Sequence, residues 1–164
     1  MGAMQKTVTP IDGSLYIERP YNGAAEIASA LAAAIAVARA WRGVPVAERA
    51  KMLGKAVDAF LSHKAEIAEE ITHQIGRPLG QSPGEVRGFE ERARYMIDIA
   101  PAALADMDVG AKDGFTRFIR RDPLGVVFVV APWNFPYLTA VNAVVPALMA
   151  GNAVLLKHSA QTPL

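Results

Sequence analysis

Asn134 stands in the segment Ala131-Pro132-Trp133-Asn134-Phe135-Pro136, where a side-chain carboxamide is bracketed by two prolines. Pro132 and Pro136 fix their own φ and restrict the residues before them, so the amide is held still. A fixed amide N–H is suited to stabilising an oxyanion. The plainer role for a loop asparagine is capping its own turn. The segment follows the uncharged run Val126 to Val130 and precedes a helical pattern, so it falls at the C-terminal end of a buried strand. That is where α/β folds place their ligands. Leu138, Thr139 and Asn142 then share one face of the helix that begins there. Lys157 closes the next apolar run, at the same ligand edge, although a solvated lysine at a strand end has the same appearance.

Composition removes several classes of chemistry. The sequence has no cysteine, which excludes disulfides, thiolate metal sites and a cysteine nucleophile within these residues. His63 and His73 sit on a helical pattern without metal-ligand spacing, so no metal site is expected. The dispersed Asp and Glu residues read as a solvated helix surface. Net charge is +1, from 17 basic and 16 acidic residues, which leaves no electrostatic footprint for nucleic acid or an acidic membrane. At 52% hydrophobic and 20% charged, the 164 residues suit a soluble globular domain with a real core, at home in the cytoplasm. No apolar segment of signal-peptide type follows the start, and Lys6 stands where N-myristoylation of Gly2 needs Ser or Thr. Pro123 to Leu156 carries no charge, but prolines, asparagines and Gly151 interrupt it, against a membrane span.

The elements that position these residues follow from periodicity. Residues 1–22 read as an extended arm with a hairpin turn at Asp12-Gly13. Residues 23–110 read as a helical part. Asn22 is the expected N-cap of a helix from Ala24 to Trp41, with Ile27, Leu31, Ile35 and Ala38 as its apolar face. One long helix is expected from Val46 to Ile75, stopped by Gly76-Arg77-Pro78. Another starts near Pro83 and buries Val86, Phe89, Ala93, Met96, Ala100 and Leu104. Residues 111–164 read as a β arm and a βαβ unit. Phe115 to Arg120 alternates like a half-exposed strand, and Val126 to Ala131 is continuous, as in a fully buried parallel strand. A helix from Leu138 to Met149 and a strand from Ala153 to Lys157 complete the unit. The fold class is α/β: N-terminal helices, then the first βαβ unit of a Rossmann-like doubly wound parallel sheet.

Several motifs together carry a resemblance. Pro123-Leu124-Gly125-Val126-Val127, the Asn134 segment, Pro146-Ala147-Leu148, Ala150-Gly151-Asn152, Leu156-Lys157 and Thr162-Pro163-Leu164 match in order and spacing. In these the chain resembles the NAD(P)-dependent aldehyde dehydrogenase superfamily, over about the first third of a two-domain member. The resemblance implies oxidation of an aldehyde to an acid with NAD or NADP. A downstream cysteine attacks the aldehyde and a downstream glutamate activates water. It implies that Asn134 donates to the thiohemiacetal oxygen. It implies cofactor contacts at Ala131, Pro132, Trp133, Lys157 and Ser159, and an aldehyde tunnel lined by Phe135, Leu138, Thr139 and Asn142. Core packing is the other role open to Trp133 and Phe135. It also implies an oligomer, with the Phe115 to Arg120 strand in an oligomerising arm. The sequence departs from the family at Lys157-His158-Ser159-Ala160, where many members have Lys-Pro-Ser-Glu. Ala160 removes a carboxylate that would repel a 2′-phosphate, so NADP is expected to be accepted.

Neither the cysteine nor the glutamate lies within these residues. The polypeptide by itself is therefore expected to be inactive and to leave an apolar strand edge open. Two other readings remain: a complementing module that joins a second chain bearing Cys and Glu, and a generic Rossmann-like nucleotide binder.

Overall fold

The computed structural model describes residues 3–163; Met1, Gly2 and Leu164, on which the acylation reading and the last motif residue fall, lie outside the described residues. The chain opens with an antiparallel hairpin, β1 (Met4–Val8) and β2 (Leu15–Pro20), turning at Gly13 with φ +77°. Helix α1 (Ala24–Trp41) has the expected span, but its N-cap is Gly23 rather than Asn22. The Glu26 carboxylate reaches back to the Gly23 N–H, so the first turn is closed by an acid inside the helix and not by the asparagine before it.

The single helix expected from Val46 to Ile75 is two helices, α2 (Val46–Ser62) and α3 (Lys64–Ile75). They break at His63, at φ −98° and ψ 13°. The break frees α3 to turn toward the hairpin, where Tyr16 stacks on His73 at 4.9 Å and its hydroxyl donates to Glu70 at 2.9 Å. Gly76 ends α3 in the left-handed region, at φ 74°, as the Gly-then-Pro rule requires.

Helix α4 (Pro83–Ala103) runs on through Pro101. The core forms where α2 and α4 meet α5 (Pro136–Met149): Val57, Ala93, Ala100, Val141, Val145 and Met149 are buried together. Phe89, Met96 and Leu104 pack against them, so the apolar stripe read on α4 is its core face. Trp41 at the end of α1 donates its indole N–H to the Leu148 carbonyl at 2.8 Å, tying α1 to α5.

Ordered pairing in the arm after α4 is short. Strand β3 (Met107–Asp108) pairs with β4 (Phe118–Ile119), and all of it is exposed. The alternation at Phe115 to Arg120 therefore buries no face among the described residues: all six positions are exposed.

Strand β5 (Val126–Val130) pairs in parallel with β6 (Ala153–Lys157), and α5 crosses between them. The α/β reading holds: helices first, then a parallel βαβ unit. The expectation of a fully buried β5 does not. Val129 is buried, but Phe128 is 66% and Val130 60% exposed. Among the described residues β5 has one neighbour strand, and the cover over its Phe128 and Val130 end is incomplete. On α1, likewise, Ala38 is buried while Ile27, Leu31 and Ile35 stand exposed. By length and hydropathy α1 would suffice to cross a membrane, yet it lies along β5 and β6.

The turn from α5 into β6 is built on Asn152, which is buried and makes three hydrogen bonds to two backbone groups. Its carbonyl oxygen accepts from the Gly125 N–H at 3.0 Å, and its side-chain and backbone N–H groups both donate to the Ala147 carbonyl. Gly151 precedes it at φ +91°. A Cβ there would fall on Arg49 Nη1 and lie 2.9 Å from Pro123 Cγ. Arg49 is itself buried, its Nε and Nη1 find no acceptor among the described residues, and burial lowers its pKa. Gly151→Ala is expected to destabilise the fold by about 2–4 kcal/mol, from left-handed strain and crowding together. Urea unfolding measures this, and a cost below about 0.5 kcal/mol would mean that the turn relaxes freely.

The asparagine loop and its buried clamp

The loop from Ala131 to Phe135 leaves the C-terminal end of β5 and enters α5 at Pro136. Val130 pairs with Lys157, and the Ala131 N–H continues the ladder to the Lys157 carbonyl at 3.0 Å. The start of the loop and Lys157 are therefore brought to one edge of the sheet. Ala131 is buried, Pro132 half-buried, and Trp133, Asn134 and Phe135 exposed. Trp133 lines an open groove of about 680 Å³ together with Val8, Thr9, Gln74, Ile75 and Gln161. Lys157 is exposed, and its ammonium rests on the His158 carbonyl at 3.2 Å. Ser159 is half-buried, and its hydroxyl accepts from the Gln161 N–H. The next carbonyl, of Ala160, accepts from Gln5 and Thr7, which docks the hairpin on the loop after β6.

The three helix positions divide. Leu138 is half-buried against α4, where a Cβ on Gly88 would come within 2.8 Å of Leu138 Cδ1. Thr139 and Asn142 are exposed on the same helix.

Helix α5 lacks a cap of its own. Its N-cap is Phe135, with no side-chain hydrogen bond, and Pro136 occupies the first turn. The orphan N–H groups of that turn need an acceptor. Glu85 on α4 provides it: one carboxylate oxygen accepts from Tyr137 N at 2.9 Å and from Leu138 N at 3.3 Å. An anion at a helix N-terminus is also favoured by the helix dipole. The other oxygen pairs with Arg77 Nη1. The Glu85 side chain is 0% exposed and that of Arg77 13%. Arg77 Nη2 donates to the Asn134 carbonyl, and its guanidinium lies over the Phe135 ring at 4.4 Å. Burial, and then the carboxylates of Glu70 and Glu85, push Tyr137 up to about 12, so its phenol stays neutral.

Glu85 corrects the reading of the acidic residues as solvated surface. Its signal was the spacing Ser82-x-x-Glu85, a capping-box pattern at the start of α4. The carboxylate instead caps a different helix, while Ser82 bonds Thr72 at 2.9 Å. Arg77 had no such signal, being part of a helix stop.

The sequence model of the Aldehyde dehydrogenase family matches residues 2–164. The 3,6-anhydro-alpha-L-galactose dehydrogenase of Streptomyces coelicolor is 35% identical over 157 residues, covering 96% of this chain and 32% of that protein. The solved structure of PnpE in complex with nicotinamide adenine dinucleotide superposes with a TM-score of 0.91 at 32% identity, over 99% of this chain and 33% of that one. That of the NADP-dependent glyceraldehyde-3-phosphate dehydrogenase from Bacillus halodurans, complexed with NADP, gives 0.87 at 28% identity, over 98% and 35%. The chain thus spans about a third of the length of these proteins.

Proposed function

Because this chain belongs to the aldehyde dehydrogenase family, we propose that it forms the opening part of an enzyme that oxidises an aldehyde to a carboxylic acid with NAD or NADP. The observation that carries this is the Asn134 loop at the C-terminal edge of a parallel βαβ unit, beside Lys157. In this reading residues 23–110 and 111–164 both belong to the cofactor-binding domain, preceded by the arm of residues 1–22.

The donor set suits a dinucleotide. Lys157 presents an ammonium and Ser159 a hydroxyl at the strand edge, and Trp133 presents an exposed ring on the loop that leaves β5. Ala131, Pro132, Trp133, Lys157 and Ser159 would hold the cofactor, with Lys157 bonding ribose hydroxyls. When bound, the nicotinamide supplies the hydride acceptor. Asn134 would donate its amide N–H to the oxyanion that forms when a thiolate from elsewhere in the enzyme adds to the aldehyde carbonyl. Phe135, Leu138, Thr139 and Asn142 would bound the aldehyde, with the exposed pair Thr139 and Asn142 the more direct contacts. The exposed β3–β4 arm is a candidate for joining protomers.

The test is a screen of aldehydes with NAD and NADP by absorbance of the reduced cofactor, on protein of known intact mass. Turnover that requires a thiol and is lost on alkylation supports the reading. Binding of ATP in preference to either dinucleotide would overturn it. A complementing module is the second reading, favoured by the exposure of Leu124, at 89%, beside the open face of β5. Co-purification with a separate chain bearing Cys and Glu would support it, and a folded monomer with no partner would remove it.

Residues 157–162 contain no carboxylate. NADP is accordingly expected to be used with a kcat/KM within tenfold of that for NAD, or better, and Ala160→Glu to lower NADP use at least tenfold while sparing NAD. Steady-state kinetics with both cofactors check this; a hundredfold preference for NAD in the unmodified protein would sink it.

A further inference from the structure

Resting on the reading of Asn134 as an oxyanion donor, we propose that Arg77 is a positioning residue that holds the Asn134 loop in its working geometry. The loop is pinned at its start by the Ala131 N–H bond to Lys157 and at its end by Glu85 on the first turn of α5. The two prolines fix φ at 132 and 136. What remains is the backbone of Trp133 and Asn134: the prolines restrict only residues 131, 132, 135 and 136, which corrects the expectation that they alone hold the amide still. Arg77 acts there. Nη2 holds the Asn134 carbonyl, and the guanidinium face covers the Phe135 ring. Nη1 anchors the whole group to Glu85, a carboxylate with no exposure to solvent. One planar side chain therefore joins the Asn134 peptide to the acid that caps α5. A lysine has one nitrogen and no planar face, so it can make only one of these contacts well.

Displacement of a catalytic donor by about 1 Å can cost on the order of a hundredfold in rate. Arg77→Met removes the ion pair of the buried Glu85 carboxylate and so costs stability, and its kinetics are read under conditions where urea unfolding shows the variant folded. Under those conditions kcat is expected to fall about tenfold to a hundredfold with little change in cofactor KM, and Arg77→Lys to recover part of the loss. The decisive readout is a double-mutant cycle with Asn134→Ala. If Arg77 acts through Asn134, Arg77→Met has little further effect on kcat in the Asn134→Ala background. Full additivity would mean a merely structural role and overturn the proposal.

Nitrogen-15 relaxation of the same chain supplies a readout independent of activity. Backbone order parameters at Trp133 to Phe135 are expected near 0.85 in the parent and below about 0.6 in Arg77→Met. Unchanged values would overturn the proposal. If Asn134→Ala leaves turnover intact, the oxyanion reading fails first, and the order parameters still decide whether Arg77 holds the loop.

Discussion

Replacing Asn134 by alanine is expected to lower kcat by roughly 10²–10³, with KM for aldehyde and cofactor little changed, in the enzyme that carries this chain. An oxyanion donor works only once the carbonyl oxygen has gained charge, so its loss falls on turnover and not on ground-state binding. Asn134 sits in an exposed loop and contributes its backbone carbonyl, not its side chain, to the Arg77 contact. Truncating the side chain therefore leaves the loop's anchors in place, and stability should change by less than about 0.5 kcal/mol. Asn134→Asp is the sharper variant. It keeps the shape but exchanges a donor for an acceptor, which would repel the oxyanion, and should be at least as slow. Steady-state kinetics beside a urea melt separate the two effects. A loss of turnover that tracks a loss of stability would mean that Asn134 is a loop-capping residue.

Glu85→Ala should be among the most destabilising single changes in the chain, at about 3 kcal/mol or more. It strands the Arg77 guanidinium, whose side chain is only 13% exposed, and leaves the Tyr137 and Leu138 N–H groups without their acceptor. Glu85→Gln keeps a carbonyl oxygen for the helix but not the charge, and should cost less. Glu90 provides the contrast. It pairs with Arg94 at 2.9 Å, but the two side chains are 38% and 46% exposed. Screening and side-chain entropy limit such a pair, and Glu90→Ala should cost no more than about 0.5 kcal/mol. Urea unfolding of both variants gives the comparison. Equal costs would mean that Glu85 is not the buried cap described here.

Much of this was legible in advance because it is local. The span of α1, the end of α3 at Gly76 and the span of β6 each follow from residues within a few positions. Periodicity likewise marked the core face of α4, since packing along a helix repeats in the sequence. The Asn134 loop stood out because two prolines and an asparagine between an apolar run and a helix form a local pattern. The failures have the opposite character. Nothing near His63 announces a break, and the turn it makes is set by what α3 meets at Tyr16 and the hairpin. The run at β5 predicted burial on both faces, but burial depends on which elements lie over each face.

The sequence by itself determined the family, the βαβ unit and the residue at the centre of the proposed chemistry, because each is written in contiguous motifs. Only the tertiary structure decided what holds that residue. Glu85 lies 52 positions from Tyr137, and Arg77 lies 57 from Asn134. Such pairs have no period and no fixed spacing. They exist because α4 and α5 approach closely enough for Gly88 to meet Leu138, which carries a buried carboxylate to the uncapped start of α5. A charge is stable there only when a helix terminus and a guanidinium meet it together, and the chain brings them together by folding.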